Sequence, residues 1–495
     1  MDPQVLVLAP VGLPALAAAG YAAFGWRRAT AWLGAAAAAG LLAAAIALAV
    51  RTTGDTAGVA AAGGLLRADA LSAFMLIVIG AVALAAMLAS PSYLAAELAA
   101  RRTGPRATRR YGVLTQAFIA AMALAVLAAN LGVLWVAVEA TTILTAFLVG
   151  FRRTREATEA AWKYVVICSV GIALALLGLV LAHYAALHAN VPEDGALDWA
   201  VLARHAAGLD PGVMRIAVAL LVLGFGTKAG LAPMHAWLPD AHSQAPAPVS
   251  ALMSGVLLSV AFYAILRVKV IADGALGVGF TRTLLVVVAL ASLAVAAALL
   301  LAQRDYKRLL AYSSIEHMGI VALGAAVGTR LAMAAVLLHV LGHGLGKSAL
   351  FLSSGYIHQA VGSSRVAAVR GLARRAPLVA GAFALGLLAL LGMPPFSLFA
   401  SEVGIVRAAF DGGLGWAVAA ALALMLVIVA AVLGRARQML LGPPADDGGE
   451  AAVRLPITAA VPIVAGLAAC AVLGVAAGPL VTLLESAAEL TGAVR

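Results

Sequence analysis

The stretch Gly224–Ser250, GFGTKAGLAPMHAWLPDAHSQAPAPVS, starts as the end of an apolar helix and then places Lys228 where hydrocarbon is expected. Four prolines follow in the same stretch, so a regular helix cannot run through it. An ammonium group inside a membrane-spanning segment costs about 2.5–3.5 kcal/mol on insertion scales. A backbone that is broken at membrane depth has to be buried in protein or to line a wet cavity. The stretch therefore predicts a site that handles charge inside a lipid bilayer.

The composition agrees with a membrane protein. The chain has 495 residues, of which 64% are hydrophobic and 11% charged, whereas soluble proteins have about 25% charged residues. We interpret the first apolar run as a retained span, not a signal peptide. Cys168 and Cys470 lie far apart and form no CxxC pattern, so we expect no cofactor and no metal site in this chain. The net charge of +11 lies in short loops, where it reports topology and not nucleic-acid binding.

Runs of about 20 apolar residues are long enough to cross the hydrocarbon. The sequence predicts an all-α polytopic membrane protein with fourteen spans: 4–24, 30–50, 70–90, 111–129, 131–151, 158–184, 213–232, 249–271, 281–302, 306–327, 331–358, 378–408, 415–440 and 456–484. Loops after odd-numbered spans hold about twice as many arginines and lysines as the other loops. We therefore expect those loops to be cytoplasmic and both termini to lie on the outer, periplasmic side of a bacterial inner membrane.

Two predicted spans contain prolines at depth. Span 7 breaks at Ala232-Pro233 and span 12 at Pro394-Pro395, and each is the fourth of five if spans 4–8 and 9–13 form two sets. Since five is odd, the second set starts from the opposite face, which predicts an inverted repeat. We predict four units. Residues 1–110 hold spans 1–3, residues 111–271 and 272–441 form the two five-helix repeats, and residues 442–495 hold a cytoplasmic loop and the last span.

Glu139 lies mid-span in LWVAVEATTILTAFL and needs a partner from another helix, for which Lys228 is the predicted choice. At 4 Å and an effective dielectric near 20, a unit pair is worth about 4 kcal/mol, and separation to about 8 Å halves this. A small movement of Glu139 could therefore load or unload Lys228 with a proton. The alternative is a carboxyl that stays protonated or pairs only structurally.

Span 11 reads LHVLGHGLGKSALF, so His339, His343 and Lys347 form one stripe about 12 Å long. Groups at this spacing can pass a proton through waters. A metal site is the rival interpretation, but there is no HExxH motif and Lys347 would oppose a cation. In span 10, Glu316 and His317 are adjacent and point about 100° apart. We expect one of them to continue the proton-transfer row of span 11 and the other to bind a neighbouring residue.

Glu402 follows the second break and is interpreted as an exit gate, with helix capping as the alternative. Lys163 lies near the cytoplasmic end of span 6, where it either snorkels or has a role in the core. His235 and Asp240 lie in the broken segment as accessory uptake groups or as turn residues.

These motifs resemble the antiporter-like, proton-translocating membrane subunits of respiratory complex I, Mrp-type antiporters and group 4 hydrogenases. The motifs that carry the resemblance are KAGLAPMHAWLPDAHSQAPAPVSAL, the glutamate of span 5, the H-xxx-H-xxx-K stripe and PPF-xxx-SE. The family has fourteen helices with inverted five-helix repeats. By this resemblance, its functional residues are Glu139, Lys228, Lys347 and Glu402 here. Ser259 stands where members like the complex I subunits often have a lysine or histidine.

Within the family, APAPVSALMSGVLL, YSSIEHMG and PPFSLFASE look most like hydrogenase-4 component F. The expected function is proton translocation by a membrane subunit of a redox-driven complex, with other membrane subunits and the lipid bilayer as partners. The chain itself would carry no electrons. Two alternatives remain, an Mrp-like antiporter that exchanges Na⁺ or K⁺ for protons and a purely structural subunit.

Overall fold

A computed structural model describes residues 2–55, 57–443 and 455–493. The helices are, in chain order, α1 (Pro3–Phe24), α2 (Leu33–Thr52), α3 (Ala70–Ala99), α4 (Pro105–Leu127), α5 (Leu131–Val149), α6 (Arg155–His188), α7 (Trp199–His205), α8 (Pro211–Lys228), α9 (Leu238–Gln244), α10 (Ala247–Leu252), α11 (Leu258–Leu276), α12 (Val278–Ala302), α13 (Tyr306–Val327), α14 (Arg330–Val361), α15 (Leu372–Arg375), α16 (Pro377–Leu390), α17 (Ser397–Asp411), α18 (Gly415–Leu441), α19 (Ile457–Val475) and α20 (Gly478–Glu489). One small hairpin pairs β1 (Val59–Ala61) with β2 (Leu66–Ala68).

Thirteen helical stretches in the described residues are long and apolar enough to cross a membrane. The remaining predicted span, 378–408, is divided into α16 and α17, which have 14 and 15 residues. Neither piece reaches the roughly 20 residues that one crossing needs, so the two together make one broken crossing. The predicted all-α polytopic architecture is confirmed.

Helix α20 contacts two loops that are distant from it in sequence. Ser486 accepts a hydrogen bond from the backbone of Gly54 at 3.2 Å, and Glu489 pairs with Arg330 at 2.8 Å. Gly54 follows predicted span 2 and Arg330 follows span 10, so both belong to loops after even-numbered crossings. Helix α20 therefore lies beside the loops that follow predicted spans 2 and 10.

The first break comes earlier than predicted. Helix α8 ends at Lys228, not at residue 232, because the chain turns at Gly230 with φ = +76°. A side chain there would lie 2.5 Å from Leu238, so glycine is needed for both conformation and space. The bond Ala232–Pro233 is cis. The break leaves Lys228 as the last helical residue.

The second break repeats this design in different residues. Helix α16 ends at Leu390, and Gly392 turns the chain with φ = +60°. A side chain at Gly392 would collide with the carboxylate of Glu402, and the following Pro394–Pro395 bond is cis. In each half, a left-handed glycine thus brings an ionisable side chain to a helix break.

Helix α10 continues into α11 through five residues of π-helical geometry, Met253–Leu257. The segment is buried and packs closely on α14. A Cβ added to Gly255 would lie 3.1 Å from the carbonyl oxygen of Gly344, and one added to Gly344 would lie 2.9 Å from that of Gly255. The two backbones therefore touch beside His343.

Other boundaries differ from the predicted ones. In the last predicted span, 456–484, helix α19 ends at Val475, and the residues after it belong to a separate helix, α20. Most of the predicted 442–454 loop, from residue 444 onward, lies outside the described residues. Prolines at positions 10 and 14 do not interrupt α1, since neighbouring groups can satisfy the freed backbone in membrane helices. The unit boundaries and the inverted-repeat relation stay predictions.

Candidate functional site

Lys228 is fully buried at the C-terminal end of α8. Its ammonium donates a hydrogen bond to the Tyr164 hydroxyl at 2.5 Å and lies 4.8 Å from the centroid of the same ring. The Tyr164 hydroxyl also bonds the Thr145 hydroxyl at 2.6 Å. The C-terminal end of a helix carries partial negative charge, which favours a cation there. These contacts join α5, α6 and α8 around one buried cation, which we call the first lysine centre.

The predicted close pair between Glu139 and Lys228 is wrong, because no ion pair within 4.0 Å joins these two described residues. The phenol of Tyr164 binds the ammonium instead. Glu139 is half-buried on α5, one of its oxygens is buried without a partner, and its charge still interacts with Lys228 at longer range. Val136 and Ile143, one turn away on either side, are 56% and 55% exposed. Glu139 therefore lies close to the outer surface of the bundle.

Lys347 is fully buried in the middle of α14. Its ammonium donates to the Leu310 carbonyl and to the Ser313 hydroxyl, both at 2.6 Å. The charge of Glu316, which is 4% exposed on α13, also acts on Lys347. We call this group the second lysine centre.

The predicted stripe on α14 lies against α13 along its whole length. His339 Nε2 is 3.0 Å from His317 Nδ1, and His339 Nδ1 is 3.0 Å from the Ser401 hydroxyl on α17. The rings of His317 and His343 lie 5.0 Å apart. All three histidines are buried and form a polar row inside apolar helices. Both ring nitrogens of His343 have no hydrogen-bond partner among the described residues, so this ring joins the row by its contact with His317 alone.

Glu402 lies at the end of this row, partly exposed beside the second break. One oxygen of Glu402 and one nitrogen each of His317 and His339 lie within 4.8 Å of one another, a set that a divalent cation could use. The two histidines, however, bond each other directly through His317 Nδ1 and His339 Nε2. A hydrogen bond between imidazoles suits proton transfer better than shared metal coordination.

The accessory residues of the broken segment fall into two groups. Asp240 pairs with Lys163 at 3.2 Å and with Arg308, so it ties α9 to α6 and α13. Lys163 also pairs with Glu159 at 2.7 Å. By contrast, His235 is half-buried with one ring nitrogen unpartnered, and the buried Ser259 hydroxyl has no partner among the described residues.

Sequence reasoning missed a buried ion pair between α11 and the residue before α3. Arg267 is 1% exposed and bonds both oxygens of Asp69 at 2.7 and 2.6 Å. Its guanidinium stacks 3.9 Å from the centroid of Trp199. The available signal was an arginine inside an apolar helix, which requires a partner. The identity of that partner could not be inferred, because Asp69 lies 198 residues away in the sequence.

Comparisons with known proteins agree with this geometry. Residues 128–428 match the family described as NADH:quinone oxidoreductase/Mrp antiporter, transmembrane. A hydrogenase-4 component F homolog from Methylacidiphilum infernorum is 38% identical over 379 residues, covering 77% of this chain and 79% of that protein. The predicted likeness to hydrogenase-4 component F is thus confirmed.

Two solved structures have the same fold over nearly the whole chain. A chain of the archaeal membrane-bound sulfane sulfur reductase superposes with a TM-score of 0.86 at 25% identity, covering 99% of this chain and 98% of that one. A chain of the Mrp complex from Dietzia sp. DQ12-45-1b gives 0.84 at 25% identity, covering 99% and 97%. With the matched region spanning more than half of its length, this chain belongs to the NADH:quinone oxidoreductase/Mrp antiporter transmembrane family.

Proposed function

We propose that this chain is the proton-translocating membrane subunit of a redox-driven complex of the membrane-bound hydrogenase or NADH-quinone oxidoreductase type. Other membrane subunits of that complex would be its partners, and redox chemistry in partner subunits would drive the proton movement. The orientation follows the charge bias of the loops, with both termini outside a bacterial inner membrane.

The row from Lys347 to Glu402 carries this proposal. Burying ionisable groups in a membrane is costly, and groups retained there usually serve a pathway. The row spans three helices. Hydrogen bonds join His317 to His339 and His339 to Ser401, and the ring of His317 contacts that of His343. Each imidazole can accept a proton at one nitrogen and release one from the other.

In the proposed route, Lys228 takes a proton near the first break and passes it towards Lys347. The proton then moves along the histidines and leaves at Glu402, beside the second break. Glu139 sets how strongly Lys228 holds its proton. Its position near the bundle surface favours control by a neighbouring subunit, because a charge or a movement there would change the field at Lys228.

A cation/proton antiporter is the second candidate, favoured by the similarity to the Mrp complex chain. In that case, Na⁺ or K⁺ pulses would drive proton exchange in proteoliposomes without any electron donor. A redox-driven subunit would show exchange only while a donor is oxidised.

Lys347→Met tests the proposed function. Inverted membrane vesicles that contain the complete complex are offered dihydrogen, formate or NADH in turn, and acidification is followed with a fluorescent dye. We expect proton uptake to fall by about a hundredfold or more, because the variant removes a proton-transfer group from the row. Lys163→Met is the matched control, since Lys163 is a half-exposed lysine that pairs with surface carboxylates. Wild-type acidification by an assembled Lys347→Met complex would refute the proposal.

A further inference from the structure

A groove of about 550 Å³ runs between the start of α4, the end of α5 and the start of α6. Its lining is mostly apolar and includes Leu114, Ile143, Phe147, Phe151, Trp162 and Val165. Ile143, Phe147 and Trp162 are 55%, 55% and 66% exposed, so the groove opens on the surface of the bundle. An apolar groove between membrane helices is suited to hydrocarbon.

The groove is held in shape by packed aromatic rings. Tyr111 lines it and is fully buried, and its hydroxyl bonds the Ser90 hydroxyl at 2.7 Å. The ring of Tyr111 also packs against Phe151, with centroids 5.8 Å apart. The space between the three helices is therefore formed before anything binds there.

Two arginines line the same groove without a carboxylate. Arg110 lies in the second turn of α4, 6.0 Å from the centroid of Phe147, and Arg153 lies in the turn after α5. No ion pair joins either of them to an acidic group among the described residues, whereas the adjacent Arg152 pairs with Glu97 at 3.5 Å. A guanidinium group matches the geometry of a phosphate, so this pair of charges is suited to a phosphodiester.

The level of the two arginines in the membrane fits a lipid headgroup. Both belong to the arginine-rich loops after predicted spans 3 and 5, and basic sites between membrane helices on the cytoplasmic side bind anionic headgroups. Trp162 lies beside them, as aromatic residues often do where membrane meets water. An acyl chain gains little by leaving lipid for an apolar groove, so the arginines have to supply the selectivity.

We propose that this groove binds one anionic phospholipid. Arg110 and Arg153 hold its phosphate, and one acyl chain lies along α5 towards Ile143. Ile143 follows Glu139 by one helical turn, so the chain ends beside the surface on which Glu139 lies. The inference does not rest on the proposed function, because binding is measured without pumping.

The test labels the complete complex with phosphatidylglycerol that carries a photoreactive diazirine in its acyl chain, and mass spectrometry then locates the labelled residues. We expect label on the groove residues of α4, α5 and α6. Arg110→Gln with Arg153→Gln should lower this labelling about tenfold or more, because each arginine near an anionic surface raises affinity severalfold. Arg106→Gln with Arg155→Gln is the matched control, since it removes two exposed charges near the same helix ends but outside the groove.

Three outcomes would overturn the proposal. The first is unchanged labelling in the Arg110→Gln, Arg153→Gln complex, and the second is equal labelling by the corresponding phosphatidylcholine, which carries no net charge. The third is loss of another subunit from the variant complex without a change in labelling, which would show that the two arginines bind an acidic partner protein.

A second variant tests the groove apart from its charges. Ala146 lines the groove, and Ala146→Phe would fill part of it while both arginines remain. Labelling of the groove residues should then fall at least fivefold in the assembled complex. Wild-type labelling of Ala146→Phe would show that the acyl chain lies elsewhere and would also overturn the proposal.

Discussion

The two lysine centres bury the same side chain in different ways. Lys228 ends a helix, next to a break, and the described residues give its ammonium one acceptor, the Tyr164 hydroxyl. Lys347 lies inside an unbroken helix, where its ammonium has a backbone carbonyl and a hydroxyl as acceptors. The carboxylate that acts on Lys347 is buried on α13, whereas Glu139 lies near the surface.

This difference indicates that the two lysine centres have different roles in proton transfer. A lysine at a helix end with one acceptor depends on the helix dipole and on a distant carboxylate, so a small change outside the bundle can alter its charge. A lysine with two acceptors inside a rigid helix pair is held in place and depends less on any single contact. The first centre is thus suited to control and the second to relay.

Tyr164→Phe should reveal the largest difference between the centres. It removes the acceptor of Lys228 but keeps the ring that contacts the ammonium. A hydrogen bond to a charged group is worth about 1.5–3 kcal/mol, so pumping by the assembled complex should fall on the order of tenfold. Dye-based acidification of vesicles measures the change. Thr145→Val is the control, since it removes only the second contact of the hydroxyl. Equal rates for Tyr164→Phe and wild type would show that the phenol does not support the charge on Lys228.

Ser313→Ala should have a smaller effect, because Leu310 still accepts a hydrogen bond from Lys347. Loss of one of two acceptors should cost about 1 kcal/mol, which corresponds to roughly a fivefold slower transfer. The same vesicle measurement compares it directly with Tyr164→Phe. A Ser313→Ala complex that is impaired more than the Tyr164→Phe complex would reverse the proposed ranking of the two centres.

The sequence was sufficient for the fold because its signals are local. Apolar runs predict the crossings, and prolines predict that two of them are broken, although the helices end just before the turns at Gly230 and Gly392. The stripe of His339, His343 and Lys347 follows from helical periodicity, and the structure places it along one neighbour, α13. Here the spacing along one helix determines which groups share a face.

The sequence could not show partners that come from distant helices. Tyr164 looks like any aromatic residue of an apolar helix, yet it takes the place at Lys228 that was assigned to Glu139. Lys163 and Asp240 gave no sign of pairing, because 77 residues separate them. Such contacts depend on how helices pack, and one sequence alone does not encode that in a readable pattern.

Asp240→Asn should have the smallest effect, and it tests how the two centres are held together. Asp240 ties α9 to Lys163 and Arg308 at the protein surface, with 18% of its side chain exposed and both cations more than 40% exposed. Such pairs contribute about 0–1 kcal/mol each, so the thermal midpoint of the complex should fall by no more than about 2 °C. High salt should lower the wild-type midpoint in the same direction, because it screens exposed charges. Arg308→Gln serves as the partner variant, and the double variant should lose less than the sum of the two singles if the pair is real. If Asp240→Asn instead stops pumping without changing the thermal midpoint, Asp240 takes up protons and does more than link helices by ion pairs. The first lysine centre would then include α9.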